Sequence, residues 1–244
     1  MIDFLPARDW HPVERLITQI FRRFYNKSWL DAVTGQKQHF GVTGLVPYAE
    51  QVPAALGRKT VDFLGVNYYT KAYLRWRAKG DAYEKSEILP IGVHFSTAGD
   101  QVSDVGWAIH PAGLGRMIRF VKTYNLPIYI TENGIADAKD ALRTDYILSH
   151  LKEIAKEIRN GADIRGYYHW SLLDNFEWIK GFHPRFGLIE VDYSTLARTV
   201  RQSAEWYKKL IQTHQTKVNH PDVEVIEELA KNWHRCQTGP ATKG

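Results

Sequence analysis

The sequence predicts an α/β fold in which parallel strands alternate with helices. Three observations carry that reading. Short apolar runs rich in β-branched and aromatic residues stand near 61–69, 127–131 and 165–171, and each reads as a buried strand. Segments with apolar residues at every third or fourth position lie between and after them, which is the helical period. The chain has 244 residues, close to the ~250 of a complete (β/α)8 barrel, yet three core strands are legible where such a barrel needs eight. A single domain over 1–244 is therefore expected, built on a parallel sheet short of a closed barrel.

Taken in order, Val13, Leu16, Ile17, Ile20, Phe21 and Phe24 predict an amphipathic helix over 12–25. Pro12 falls in its first turn, where a missing N–H costs nothing. The stretch 31–58, with Gly35, Gly41, Gly44, Pro47 and Pro53, reads as loops around short elements. The strand Thr60–Tyr69 follows, and then a region to about 110 without a clean period. Leu114, Met117, Ile118 and Val121 predict a helix starting at Pro111. After the strand near 127–131, Ile147, Leu151, Ile154 and Ile158 line a helix over 144–160 that Gly161 should end. The third strand comes next. Ser194 is the expected cap of a helix reaching about 213. Val223, Ile226, Leu229 and Trp233 suggest a short terminal helix after Pro221, within a C-terminal extension over 214–244 whose end, from Thr238, is expected to fray.

Composition narrows the function. At 44% hydrophobic and 24% charged, the chain reads as an ordinary soluble globular protein. No apolar run approaches the roughly 20 residues of a membrane span, so no membrane partner is expected. The opening residues Met1–Pro6 carry neither a basic nor an apolar signal region, and Cys236 is the single cysteine. Both point to a reducing, cytoplasmic setting, in which the sequon Asn26-Lys27-Ser28 carries no weight. The net charge of +5 is scattered over residues such as Arg22, Arg23, Arg75, Arg77, Lys208 and Lys209, which reads as solvated faces rather than a nucleic-acid patch. The ten histidines show no metal-ligand spacing, and no phosphate-cradling glycine loop or dinucleotide motif is present, so no metal or cofactor is expected. The 13% aromatic content, with eight tryptophans, is the suggestive figure. Aromatic faces suit the C–H faces of pyranose rings, although most such rings are core.

The second strand ends in Glu132-Asn133-Gly134. The C-terminal ends of parallel strands are where loops converge on one crevice, so a carboxylate there is placed for chemistry. A cap for the next helix is the plainer role for an arbitrary glutamate. The whole string Y-I-T-E-N-G at 129–134 decides between them, because it resembles the nucleophile motif of the family 1 glycoside hydrolases. D-F-L-G-V-N-Y-Y-T at 62–70 is similar to that family's sixth barrel strand, and L-P-I-Y-I-T-E-N-G at 126–134 to its seventh. G-Y-Y-H-W-S-L-L-D-N-F-E-W at 166–178, running on to R-F-G-L at 185–188, is similar to its eighth strand and the loop beyond. The resemblance extends from about residue 3 to about 212 and implies a partial (β/α)8 TIM barrel, strands six to eight with their helices.

The same resemblance implies a retaining β-glycosidase of β-glucosidase type, acting on terminal β-D-glucosides with Glu132 as the nucleophile. It implies a hydroxyl of Tyr69 bonded to that carboxylate, and sugar contacts from Asn67, Trp170, Glu177, Trp178 and Phe186. Trp107, in G-W-A-I-H-P, matches a family tryptophan of structural character. On spacing alone, Tyr69 also fits a rim aromatic, Asn67 a turn amide and Trp170 a core tryptophan. The Glu177–Trp178 pair argues against the phospho-β-glycosidase branch, which carries smaller residues there and a cationic pocket. Retention also needs a second carboxylate about 5–5.5 Å from the first. In the family it is the glutamate of an N-E-P motif on the fourth strand, and N-E-P does not occur in this sequence. The early glutamine and the His-Trp pair of the first and third strands are missing too. A complementary N-terminal half or self-association is thus the expected partner, since a few parallel strands leave open edges and unfilled inward side chains. A catalytically silent sugar-binding or scaffold protein, or a non-functional fragment, stays open beside it.

Overall fold

The computed structural model describes residues 1–35, 59–77, 84–85 and 90–216. Most of the loop-rich stretch 31–58, the helix expected after Pro221, the fraying end and Cys236 lie outside the described residues. The chain opens with strand β1 (Asp3–Pro6) and helix α1 (Pro12–Phe21), at whose start His11 Nδ1 accepts from the Glu14 amide. The expected helix over 12–25 does not end at 25. Its α-helical part stops at Phe21, continues as a π-helical turn over Arg22–Lys27, and resumes as α2 (Ser28–Val33). A tertiary contact accounts for the extra helical residues. Asn26 is buried in that turn, and its amide accepts from the Ile2 N–H at 3.2 Å and donates to the Ile2 carbonyl at 2.8 Å.

Strands β2 (Leu64–Asn67), β3 (Lys71–Trp76), β4 (Glu84–Lys85) and β5 (Ile91–His94) follow. The aperiodic region to 110 therefore contains strands that its pattern does not announce. They are short, and Lys71 is a buried charge within one of them, paired with Asp100 at 2.7 Å. A buried lysine breaks the apolar alternation that would otherwise announce β3. Together with β1 they make a four-stranded sheet in the order β1-β3-β5-β4.

Helix α3 (Pro111–Lys122), strand β6 (Ile128–Asn133), helix α4 (Arg143–Arg159) and strand β7 (Ile164–His169) come next, close to the predicted spans. Gly161 follows α4 with φ +82°, as a C′ glycine should. β2, β6 and β7 pair in parallel, in that order, so the three strands legible in the sequence form one sheet. On one face Leu64, Val66, Tyr68, Ile128 and Ile130 pack on Leu114 and Ile118 of α3 and on Ile147, Leu151 and Ile154 of α4. Each fully buried side chain of that kind contributes roughly 1.5–3 kcal/mol. The other face stays open. Phe63 is 53% exposed and Tyr168 58%, and Phe63 leans edge-on against Tyr129.

Strands β8 (Ile189–Val191) and β9 (Arg198–Val200) form a hairpin, and α5 (Gln202–Thr216) ends the described chain. Ser194 is therefore no helix cap. It sits at the hairpin tip, where Asp192 accepts from its amide at 2.9 Å and its hydroxyl at 2.6 Å. The first turn of α5 is satisfied from elsewhere in the fold: Asp140 accepts from the Ser203 amide at 2.9 Å and its hydroxyl at 2.6 Å. A side chain more than sixty positions away does the work that sequence rules assign to a neighbour.

Candidate active site

The three parallel strands point their C-terminal ends the same way, and Tyr69, Glu132 and Trp170 all emerge there. Glu132 reaches the open side because β6 is irregular. Its pairing with β7 slips between Ile130 and Asn133, and the burial along Ile128–Asn133 runs buried, partial, buried, partial, partial, buried. Strict alternation would have turned Glu132 toward the helices. The slip places Thr131 and Glu132 together on the open side and buries Asn133, the re-aiming for which bulges are known.

The Tyr69 hydroxyl donates to Glu132 Oε2 at 2.7 Å. Burial, then the hydrogen bond to Glu132 and its charge, push the Tyr69 phenol far above its usual range, so it stays a donor. Its ring is held edge-on by Trp107 at 5.9 Å and Phe186 at 6.1 Å between centroids. Trp107, read from the sequence as structural, is thus a wall of the same site. The backbones agree: the Tyr68 amide donates to the Glu132 carbonyl at 2.9 Å.

Trp170 follows β7, and its peptide bond to Ser171 is cis. Its amide donates to the Asn133 carbonyl at 3.0 Å, and the Ser171 amide to the Phe186 carbonyl at 3.1 Å. These bonds bring the third predicted strand end to the first two. Gly134 makes the approach possible, since a Cβ there would stand 1.7 Å from the Trp170 carbonyl oxygen. The Trp170 indole N–H donates to Glu177 Oε1 at 3.2 Å, and Asn175 donates to the same oxygen at 2.7 Å. The Ser171 hydroxyl in turn bonds Asn175 at 3.0 Å. Glu177 is close enough for its charge to act on Tyr69.

Of the predicted residues, Glu132, Tyr69, Phe186, Trp170 and Glu177 are thus joined by contact or by charge. Asn67 lies at the end of β2, its Oδ1 accepting from the Thr131 hydroxyl at 2.6 Å. Trp178 stands apart, 84% exposed in a 3-10 turn over Trp178–Lys180 with φ +50°. Sequence reasoning passed over Asn133 and Asn175. Asn133 is fully buried, donates to the Tyr68 carbonyl at 2.8 Å and accepts from the Tyr167 hydroxyl at 3.0 Å. An amide beside a strand-end glutamate was the available signal, because a buried amide must find partners. Among the described residues, no group of three or more His, Cys, Asp or Glu could hold a metal ion.

Carboxylate chemistry at the ends of parallel strands is therefore the class of protein that fold and site define. More narrowly, the chain belongs to glycosyl hydrolase family 1, whose pattern matches residues 14–216. A β-galactosidase of Saccharolobus solfataricus is 41% identical over 159 residues, 62% of this chain and 31% of that protein. A β-glucosidase of an Agrobacterium species is 37% identical over 220 residues, 84% of this chain and 47% of the relative. Among solved structures, the β-glucosidase of Thermotoga maritima in complex with glucoimidazole superposes with a TM-score of 0.72 at 29% identity, covering 87% of this chain and 49% of the other. The chain thus spans half or less of the length of these relatives.

Proposed function

We propose that this chain carries the nucleophile and sugar-binding side of a retaining β-glycosidase of β-glucosidase type. The observation that carries the reading is the 2.7 Å bond from Tyr69 to Glu132 at the ends of parallel strands. A carboxylate so held is oriented to attack an anomeric carbon, forming the bond to C1 as the glycosidic C–O bond breaks. Trp170 and Glu177, bonded to each other, offer an indole face and an acceptor for vicinal hydroxyls of a terminal β-D-glucoside. Asn67 and Phe186 complete the proposed sugar contacts in this arrangement, in which Trp178 stands apart.

In this reading β2, β6 and β7 are strands six to eight of a (β/α)8 barrel. The exposed rings of Phe63 and Tyr168 mark the face that would line its interior. The remaining strands, with the N-E-P glutamate as acid and base, belong to a complementary stretch of polypeptide. The absence of N-E-P from the sequence favours one second reading, a sugar-binding protein without turnover.

Mass spectrometry after mixing with 2,4-dinitrophenyl 2-deoxy-2-fluoroglucoside tests both. Dinitrophenolate leaves without a proton, so a covalent adduct on Glu132 is expected from the chain alone. Alkyl glucosides and cellobiose, which need the acid, should react slower by roughly 10²–10⁴-fold. Folded chain that takes no label, yet binds glucose, would replace the catalytic reading with the binding one.

A further inference from the structure

Strand pairing brings Tyr69 to Glu132 through the Tyr68 amide's bond to the Glu132 carbonyl at 2.9 Å, but it does so across two irregularities. The β2–β6 register shifts between Val66 and Asn67, and β6 slips against β7 between Ile130 and Asn133, so the ladder is irregular where the two side chains emerge. Side-chain bonds reinforce the pairing there, and one phenol behind the sheet makes two of them. Tyr146, in the first turn of α4, is buried on the helix side. Its hydroxyl accepts from Asn133 Nδ2 at 3.0 Å and donates to the Tyr69 carbonyl at 3.2 Å. Asn133 adjoins Glu132 in the chain, and Tyr69 carries the hydroxyl that bonds Glu132. A single oxygen therefore ties the Tyr69 backbone to the side chain next to Glu132.

The ring cannot easily swing away. It stacks on His150 with centroids 3.9 Å apart, and His150 is itself fully buried and bonded to the Tyr146 carbonyl at 2.7 Å. Burial also lifts the phenol far above its usual titration range, so its proton stays available to the Tyr69 carbonyl.

We propose that Tyr146 is a positioning residue for the reaction. It touches no substrate and acts by holding the Tyr69 carbonyl and the Asn133 side chain in one arrangement. The inference rests on Glu132 being the nucleophile, but its physical content, a clamp between two strand ends, can be measured without catalysis.

Tyr146→Phe removes the oxygen and keeps the ring, its stacking and its volume. Tyr167→Phe is the control, because the Tyr167 hydroxyl also bonds Asn133, at 3.0 Å, through the opposite end of its amide. Hydrogen exchange of the Tyr68 amide, which bonds the Glu132 carbonyl, reads the clamp directly. It should quicken about tenfold or more in Tyr146→Phe and stay near wild type in Tyr167→Phe. Equal exchange in Tyr146→Phe and wild type, or rapid exchange at Tyr68 in the wild-type chain, overturns the clamp.

Labelling by the dinitrophenyl fluoroglucoside reads its consequence. The maximal rate of adduct formation should fall about tenfold in Tyr146→Phe, with the half-saturating concentration unchanged. A rise in that concentration at constant maximal rate would mean that Tyr146 shapes binding and not attack, against the proposal. A wild-type chain that takes no label refutes the nucleophile reading, and the exchange result still decides the clamp.

Discussion

The Tyr69 hydroxyl and the Glu132 carboxylate lie 2.7 Å apart although 63 positions separate them in the chain. Strands β2 and β6 bring them together, and the Tyr69 ring packs edge-on against Trp107 and Phe186, which also touch each other. The bond is short, made by a donor that stays protonated, and lies beside the Trp170–Glu177 pair.

Tyr69→Phe should leave the fold intact, because the ring contacts with Trp107 and Phe186 do not need the hydroxyl. What it loses is the bond that orients the carboxylate. The rate of Glu132 labelling by the activated fluoroglucoside should drop about tenfold or more, a misorientation effect of the expected size. Labelling at the wild-type rate would show that the bond has no catalytic consequence.

Gly134→Ala should be costly for a reason unrelated to conformational freedom. The added methyl would meet the Trp170 carbonyl at 1.7 Å, and that atom is backbone and cannot rotate aside. The ends of β6 and β7 must then part, at about 1–3 kcal/mol as for other overpacked positions. Urea unfolding should show a lowered midpoint with little change in slope, and an unchanged midpoint would contradict the close approach.

Arg201→Met tests the anchor beneath the hairpin. Arg201 forks onto both carboxylate oxygens of buried Asp174 at 3.0 Å, and the Gly187 amide donates to the same carboxylate at 2.8 Å. Burial alone would raise the Asp174 pKa, but these bonds outweigh it and hold the carboxyl below its usual range. Removing the guanidinium leaves the buried carboxylate to the more distant Arg185, at 3.4 Å, so the loss should stay below the roughly 3–5 kcal/mol of a fully broken buried pair. Arg201→Met/Asp174→Asn, which removes the charge and keeps an acceptor for the Gly187 amide, should recover part of that loss, and a double variant no better than the single one would deny the pairing.

Stability should fall with acid through two histidines. Burial first, then the charges of Arg143 and His150, bring His169 down to about 3, and burial brings His150 down to about 3. Both are neutral in the fold, while in the unfolded chain each takes a proton near 6.5. Above pH 6.5 neither state binds that proton, so the contribution is constant. Between 6.5 and 3 the unfolded chain binds more protons than the native one, and each histidine removes roughly 1.4 kcal/mol per pH unit. His169→Phe should flatten the dependence of the urea midpoint on pH across that window. An unchanged slope would mean that His169 is charged in the native state.

The three strands of the parallel sheet, the helices after Pro111 and after Leu142, and the glutamate at a strand end could all be read from the chain. Each is specified locally, by apolar period, by a glycine such as Gly161 after the last turn, or by an unbroken motif such as Y-I-T-E-N-G. The strands between Lys71 and His94 could not, because they are short and one of them buries a lysine whose partner, Asp100, lies in a distant loop. The start of α5 could not either, since Asp140 supplies the acceptor that Ser194 was expected to supply.

The sequence by itself determined that Glu132 would end a buried strand, since its β-favouring neighbours have no other way to hide. Which way its carboxylate points was left to the tertiary structure. Alternation from Ile130 sends it toward the helices, and the slip in the β6–β7 pairing sends it to the open side. The packing of Asn133 against Tyr68, Tyr146 and Tyr167 favours the second arrangement, because a buried amide there finds its partners at once. Those partners come from the residue after β2, from α4 and from β7, and no window of sequence contains them together.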